Sequence, residues 1–310
     1  GGGATKVAVI NTSTAKQSGT TLILASGESG TPLLNADGTR AIITIRGWTT
    51  QVVVIDTTTG AQVGKTFTLA GEVGFPTVLG ADGSRALITT ASSDLVTGGT
   101  RLAVLDTKTG AQIGSTVTMP GYQSATWSAD ATHVLVTTQD GDWDTGFTTR
   151  VAVVDATSSY QTGTILTLAG RLLGSPLFSA NGTRALVVTD AAASTSVAVL
   201  NPVTGTQVGT TLTLTGTQSV VMTADASRAV IVTGIDDIIT PASTLVTIVD
   251  AATGEQVGST VTLTGARSGS AMSAGAGRAL ITTYTADGYT VLNSQVTAID
   301  TPTGAKTGTT

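Results

Sequence analysis

Residues able to do chemistry are few in this chain, and their spacing narrows what they could do. The one histidine is His133 and there is no cysteine. A zinc site, a thiol nucleophile and a Ser-His-Asp triad with a spare base therefore all lack parts. Catalysis would have to come from carboxylates alone. Asp236 and Asp237 are adjacent, so in a strand they would point to opposite faces, which suits a loop better than an acid and base pair. Asp140, Asp142 and Asp144 alternate with Gly141 and Trp143, setting carboxylates at places 1, 3 and 5 of a calcium-loop pattern. The loop glycine then comes one place late, at Gly146, and the closing glutamate is replaced by Val151. Calcium is a candidate ligand of this segment, set against the simpler expectation of a solvated acidic hairpin tip.

The remaining charged residues recur at a fixed interval. Six turns, Asp37-Gly38-Thr39-Arg40, Asp82-Gly83-Ser84-Arg85, Asp130-Ala131-Thr132-His133, Asn181-Gly182-Thr183-Arg184, Asp225-Ala226-Ser227-Arg228 and Gly275-Ala276-Gly277-Arg278, each open an apolar run. Their last residues are 45, 48, 51, 44 and 50 apart, a period that belongs to a propeller or a solenoid. A second apolar run of the kind Val151-Ala152-Val153-Val154 occurs seven times and closes at Asn11, Asp56, Asp106, Asp155, Asn201, Asp250 and Asp300. Each copy continues through a turn such as Thr57-Thr58-Thr59-Gly60 into a threonine-rich strand such as Thr66-Phe67-Thr68-Leu69. Every period holds four short strands, and no window has the i, i+3, i+4 apolar spacing of a helix. The chain is predicted to be all-β.

Burial logic selects the propeller. The second and third strands of each period are nearly continuous apolar runs, so both of their faces must be covered, as in sheet packed on sheet. The fourth strand alternates, as in Thr211-Leu212-Thr213-Leu214-Thr215, and suits an outer edge with one face in water. Four-stranded antiparallel blades satisfy both conditions. Seven blades are favoured, one of them incomplete, with six as the alternative. The expected organisation is one domain over residues 1–310, with a half-blade at 1–26 followed by six repeats of 44–51 residues. Gly64, Gly114, Gly163, Gly209 and Gly258 fall at one place in the fourth strand and are expected to mark a bulge or a close approach of two backbones.

The succession of strand, Asp-Gly turn, strand, a strand of the form Val52-Val53-Val54-Ile55-Asp56 and a Thr-Gly turn resembles the repeat of YVTN-type surface-layer propellers along essentially the whole chain. The resemblance implies the propeller fold and a surface setting, with no particular ligand. The segment Asp250-Ala251-Ala252-Thr253-Gly254-Glu255 also looks like quinoprotein-type repeats, but those carry a tryptophan where this chain has Gly258, so no quinone cofactor is expected.

The second and third strands are antiparallel neighbours, which places the residue opening one beside the residue closing the other. The expected structural pairs are Arg40 with Asp56, Arg85 with Asp106, His133 with Asp155, Arg184 with Asn201, Arg228 with Asp250, and Arg278 with Asp300. Such pairs fix register more than they add stability, and six alike argue for structure over catalysis. His133 then stands in an arginine's place. Trp127 falls in a first strand and is expected to pack or to line the channel.

Variation gathers at the other end of the strands. There the loops include Arg46-Gly47-Trp48, Ser92-Ser93-Asp94-Leu95, Asp140 to Asp144, the Asp236-Asp237 loop and Tyr284 to Tyr289. With aromatics only 4% of the chain, Trp48, Trp143, Phe147, Tyr284 and Tyr289 are expected to be exposed binding-face residues that stack on sugar rings or dock a peptide. Composition supports this and excludes other partners. Net charge is −5 with a pI near 4.7 and no basic cluster, which disfavours nucleic acid. No run approaches the length of a membrane-spanning helix. Low charge and abundant threonine point to an extracellular or cell-surface protein. The expected function is a non-enzymatic recognition scaffold for a protein or glycan. The alternative is a structural repeat module of a larger surface assembly, and a lyase or hydrolase at the channel mouth is more distant.

Overall fold

A computed structural model describes residues 3–73, 77–91, 99–128, 131–142, 144, 146–179, 181–191, 194–222, 227–235, 242–272, 277–287 and 290–309. Among them there are strands and turns and no helix. The unit of the fold is the four-stranded antiparallel blade of a β-propeller. A two-stranded hairpin, Ala4–Asn11 with Lys16–Ser26, precedes six sheets, each made of consecutive strands in chain order.

Within a sheet the order follows the chain. In the fifth sheet, Thr217–Met222, Arg228–Ile235, Ser243–Asp250 and Gln256–Thr264 pair one after another. The first strand is continuous there, in the third sheet (Tyr122–Trp127) and in the sixth (Ala266–Met272). In the first and fourth sheets it is broken into two short pieces, Glu28–Ser29 with Leu33–Leu34 and Arg171–Leu172 with Leu177–Phe178. Pro32 and Pro176 stand at those breaks, and proline has no N–H to give the ladder. The continuous first strands carry no proline.

The chain divides into two compact units, residues 1–140 with 151–162, and residues 141–150 with 163–310. In the first unit, alternate residues of one strand face opposite neighbours. Ile42, Val52 and Val54 pack on Ala86, Ile88, Ala103 and Leu105 of the next sheet, while Ile43, Val53 and Ile55 pack toward the hairpin's Val7, Val9 and Leu22. Leu87, Leu102 and Val104 meet Val134, Val136 and Val154 in the same way. In the second unit, Leu186, Val197 and Val199 meet Ala229, Ile231 and Val249, and Val230, Val246 and Ile248 meet Ala279, Ile281 and Ile299. Two-sided burial is why these strands read as unbroken apolar runs. In four outer strands one late apolar residue, Leu69, Met119, Leu168 or Leu263, is fully buried between exposed neighbours, while Val63, Phe67, Ile113, Val117, Val257 and Val261 are half-buried against the same cores.

The outer-strand glycines do both things expected of them. The ladder shifts register between Val52 and Val54, Leu102 and Val104, Val197 and Val199, and Val246 and Ile248. Gly64 has φ +67° and a Cβ there would sit 2.3 Å from the carbonyl oxygen of Thr109, in the turn of the following sheet. Gly209 stands in the same relation to Thr253, also at 2.3 Å. No side chain fits such a crossing.

Candidate functional site

The two ends of each sheet are chemically different, and the difference follows from topology. One end carries the turn between first and second strands and the turn between third and outer strands. The other carries the loops between second and third strands and the crossovers from sheet to sheet.

At the first end the turn residues are tied down by their own side chains. Asp37 Oδ1 accepts the Thr39 N–H at 2.9 Å and the Thr39 hydroxyl at 2.7 Å, and Asp82 and Asn181 take the N–H of Ser84 and Thr183 in the same manner. At the second turn, Oδ1 of Asn11, Asp56, Asp106, Asn201 and Asp250 each accepts two N–H groups, two and three residues on, at 2.7–3.3 Å. Asp155 holds the Thr157 N–H and hydroxyl, and Asp300 those of Thr303. These are Asx-type turns, in which a short side chain replaces a backbone acceptor.

Those bonds set the protonation of the carboxylates. The hydroxyl and N–H of Thr39 hold Asp37 below the usual carboxylate range, and the Thr59 N–H does the same for Asp56, with Arg40 adding to it. Burial pushes Asp82 and Asp155 upward, but hydrogen bonds from Ser84 and Thr157 outweigh it and both end lowered. Carboxylates held this firmly as acceptors are ionised anchors and make poor proton donors.

The arginines add a second layer. Arg40 and Asp56 face each other in register and join at 2.9 Å, as do Arg228 and Asp250 at 2.8 Å. Arg85 lies opposite Asp106 and Arg278 opposite Asp300. Arg85 reaches across to the next sheet and donates Nη1 to the Ala131 carbonyl at 3.3 Å, and Arg184 donates Nε to the Ala251 carbonyl at 3.0 Å. Arg184 and Asn201 sit one place beyond the paired ladder. His133 Nδ1 is 2.7 Å from Thr132 Oγ1, and its charge adds to the lowering of Asp155. The arginines thus lock register in some sheets and tie sheet to sheet in others. Sequence pairing does not reveal that second role, because the acceptor is a backbone carbonyl of any residue type. The turn-capping role was legible in the substitution of Asn11 and Asn201 for aspartate, since an amide oxygen caps a turn as well as a carboxylate does.

At the other end, Trp48 stands out with 84% of its surface exposed, on the tight turn between Arg40–Arg46 and Thr49–Asp56. Phe147 and Tyr284 are corrected from exposed to half-buried. Both lie inside long strands, Gly146–Asp155 and Arg278–Asp287, and Tyr284 has Ala266 on one side and Ser294 on the other. Trp143, Tyr289, the loop from Ser92 to Leu95 and the Asp236-Asp237 pair lie outside the described residues. Trp127 packs against the Leu87 and Leu102 cluster, with its Nε1 buried and without a hydrogen-bond partner.

Asp140 and Asp142 belong to the strand His133–Asp142, with Asp140 half-buried and Asp142 exposed. Asp142 Oδ1 accepts the Asp144 N–H at 3.0 Å. Among the described residues, no three carboxylate or imidazole groups gather into a metal-binding cluster, and no helix is long and apolar enough to cross a membrane.

No protein-family model and no curated protein matches the chain. Among solved structures it is similar to hydrazine synthase of Kuenenia stuttgartiensis, at 17% identity and a TM-score of 0.43 over 87% of this chain and 76% of that one. It is also similar to the β-propeller domain of the Trilobed protease from Pyrococcus furiosus, at 11% identity and a TM-score of 0.40 over 70% of this chain and 65% of that one. The Dos1 propeller gives 12% identity and a TM-score of 0.43 over 89% of this chain and 70% of that one. Likeness at this level carries no argument about what the chain binds or does.

Proposed function

We propose that this chain is a non-enzymatic binding scaffold, secreted or held at the cell surface, that recognises a protein or a glycan through the loop end of its blades. The observation that carries the proposal is Trp48, a large ring 84% exposed on a two-residue turn between two buried strands. A rigid support with an aromatic at its tip is the arrangement that stacks on a sugar face or fills a hydrophobic notch in a partner. The resemblance to YVTN-type surface-layer repeats supports the surface setting. The use of Asp37, Asp56, Asp82 and Asp155 as ionised turn anchors speaks against acid and base work at the turn end.

The test is a glycan and peptide array probed with the wild-type protein and with Trp48→Ala. Binding that is present in the first and at least tenfold weaker in the second supports the proposal. Binding of equal strength in both removes Trp48 from it, and silence across both arrays favours the structural reading below.

A module of a larger surface assembly is the second reading, and exposed apolar positions favour it. Ile10 is 53% exposed where its counterparts Ile55, Leu105, Val249 and Ile299 are 0%. In the sixth sheet, Leu280 is 43% and Val296 40% exposed where Leu87 and Val246 are 1%. Such faces are what neighbouring repeats cover elsewhere in the chain.

A further inference from the structure

Glu28 and Glu72 hold the same place in two successive repeats. Each follows the glycine that opens a crossover, and that glycine is fixed by a backbone too close for a side chain. A Cβ on Gly27 would lie 2.6 Å from the carbonyl oxygen of Arg46, and one on Gly71 would lie 2.7 Å from that of Ala91. Gly121, Gly170, Gly216 and Gly265 make the same approach to Gln139, Asp190, Gly234 and Tyr284. In those repeats the residue that follows is Tyr122, Arg171, Thr217 or Ala266. Glutamate stands there only in the two crossovers that flank the Trp48 tip.

Register puts both glutamates beside that tip. Glu28 pairs with Arg46, the last residue before Gly47 and Trp48. Gly71 bridges Thr49, the first residue after Trp48, and Glu72 is next along the chain. Thr50 holds this crossing by donating its hydroxyl to the Gly71 carbonyl at 3.0 Å, as Thr5 does to the Gly27 carbonyl at 3.1 Å. Glu28, Arg46, Thr49 and Glu72 are all exposed. None of their side chains takes part in a hydrogen bond or ion pair among the described residues. The residues paired with Arg46 and Thr49 are Glu28, Ala70 and Gly71, so no large apolar side chain extends the surface of the indole.

An apolar plate bordered by polar groups on a fixed backbone suits a sugar better than a protein. A protein partner buries a contiguous apolar patch from which charge is depleted, and the border here is charged. A pyranose is amphiphilic in the complementary way. Its C–H face packs on an indole, while its hydroxyls, which both donate and accept, meet acceptor-only carboxylates and a donor-only guanidinium. We propose that Trp48, Glu28, Glu72 and Arg46 form a site for a neutral, gluco-configured pyranose of a β-linked chain, an inference that rests on the reading of Trp48 as a binding residue. All-equatorial hydroxyls leave C–H bonds on both faces of such a ring and set the hydroxyls around its edge, toward the two glutamates and the arginine. The carboxylates outnumber the guanidinium and the chain carries a net charge of −5, so uronic and sulfated sugars are repelled.

The probe is cellohexaose, titrated into the intact chain by calorimetry at up to millimolar concentration, with a heparin hexasaccharide as the anionic control. Saturable binding of cellohexaose is expected, and no binding of the heparin fragment. Trp48→Ala should weaken the binding by at least about tenfold. Glu28→Ala and Glu72→Ala, exposed changes that leave the thermal midpoint where it is, should each weaken it about threefold to tenfold. Absence of saturable cellohexaose binding overturns the inference, as does binding that survives intact when both glutamates are replaced. A wild-type chain that binds an array peptide through Trp48 and no neutral glycan overturns the sugar site and leaves the scaffold reading standing. Cellohexaose binding that Trp48→Ala does not weaken removes both.

Discussion

The turn end and the loop end of the blades are made from the same strands, and glycine holds close crossings at both, at Gly64 and Gly209 on one and at the crossovers Gly71, Gly121, Gly170, Gly216 and Gly265 on the other. The contrast therefore lies between these crossings and the tip that joins the second and third strands. At the turn end, Gly64 crosses the backbone of Thr109 so closely that a Cβ would lie 2.3 Å from its oxygen. At the loop end, a Cβ on Gly47 would meet Thr49 O at 3.4 Å, an ordinary contact, and Gly47 has no left-handed backbone to protect. At the turn end, side-chain oxygens are spent on the chain's own N–H groups. At the loop end, Trp48 is left in water. The turns and the crossovers therefore hold the architecture, and the tips between second and third strands are free to differ from repeat to repeat.

The largest expected effect tests that contrast directly. Gly64→Ala should cost about 2–5 kcal/mol, from left-handed strain and from the backbone shift needed to clear Thr109, whereas Gly47→Ala should cost under about 1 kcal/mol. Urea denaturation of the two proteins side by side reads the difference. Equal losses would erase the distinction between the crossings and the tip.

Asp250→Ala comes next, at about 1–3 kcal/mol, because two turn N–H groups and Arg228 lose their acceptor together. Asp250→Asn should cost less than half as much, since the amide oxygen still caps the turn as Asn201 does. If the two substitutions cost the same, the ion pair outweighs the cap and the account of the turn needs revision.

Acid titration probes the same anchors without substitution. Asp37, Asp56, Asp82 and Asp155 are all lowered in the folded chain. Their contribution is therefore complete above the unfolded carboxylate value of about 3.9 and is lost as pH falls through the lower folded values. The thermal midpoint should hold steady from neutral pH to about 5 and drop below about 4. A midpoint already falling between pH 7 and 6 would contradict the assignment of acid stability to these carboxylates.

The smallest expected effect is a near cancellation. Ala131 occupies the turn position where Gly38, Gly83 and Gly182 sit, with φ +55°, and its methyl group is buried. Ala131→Gly relieves left-handed strain but loses chain entropy and that buried methyl, for a net change within about 0.5 kcal/mol, read from the denaturation midpoint.

Much of this contrast was legible before any coordinates. The period, the apolar runs and the turn residues specify the four-stranded sheet because each local signal agrees with the global one. The glycines at 64, 114, 209 and 258 announced the close crossings, since no other residue suits that geometry. Two things were hidden. The arginine bonds from Arg85 and Arg184 end on backbone carbonyls, which leave no mark in side-chain pattern. The depth of Phe147 and Tyr284 depends on how far the strands run past the repeat, and alternation cannot locate the end of a hairpin that extends to Asp287. The candidate site was legible only at Trp48, where the turn is too short to bury a ring.

The most direct test measures binding and stability on one preparation of Trp48→Ala. The account predicts a urea midpoint within about 0.5 kcal/mol of wild type together with a tenfold or greater loss of binding to any array ligand the wild type retains. A midpoint that falls as far as that of Gly64→Ala would contradict it, because Trp48 would then be holding the blade together and the tip would be as structural as the turn end.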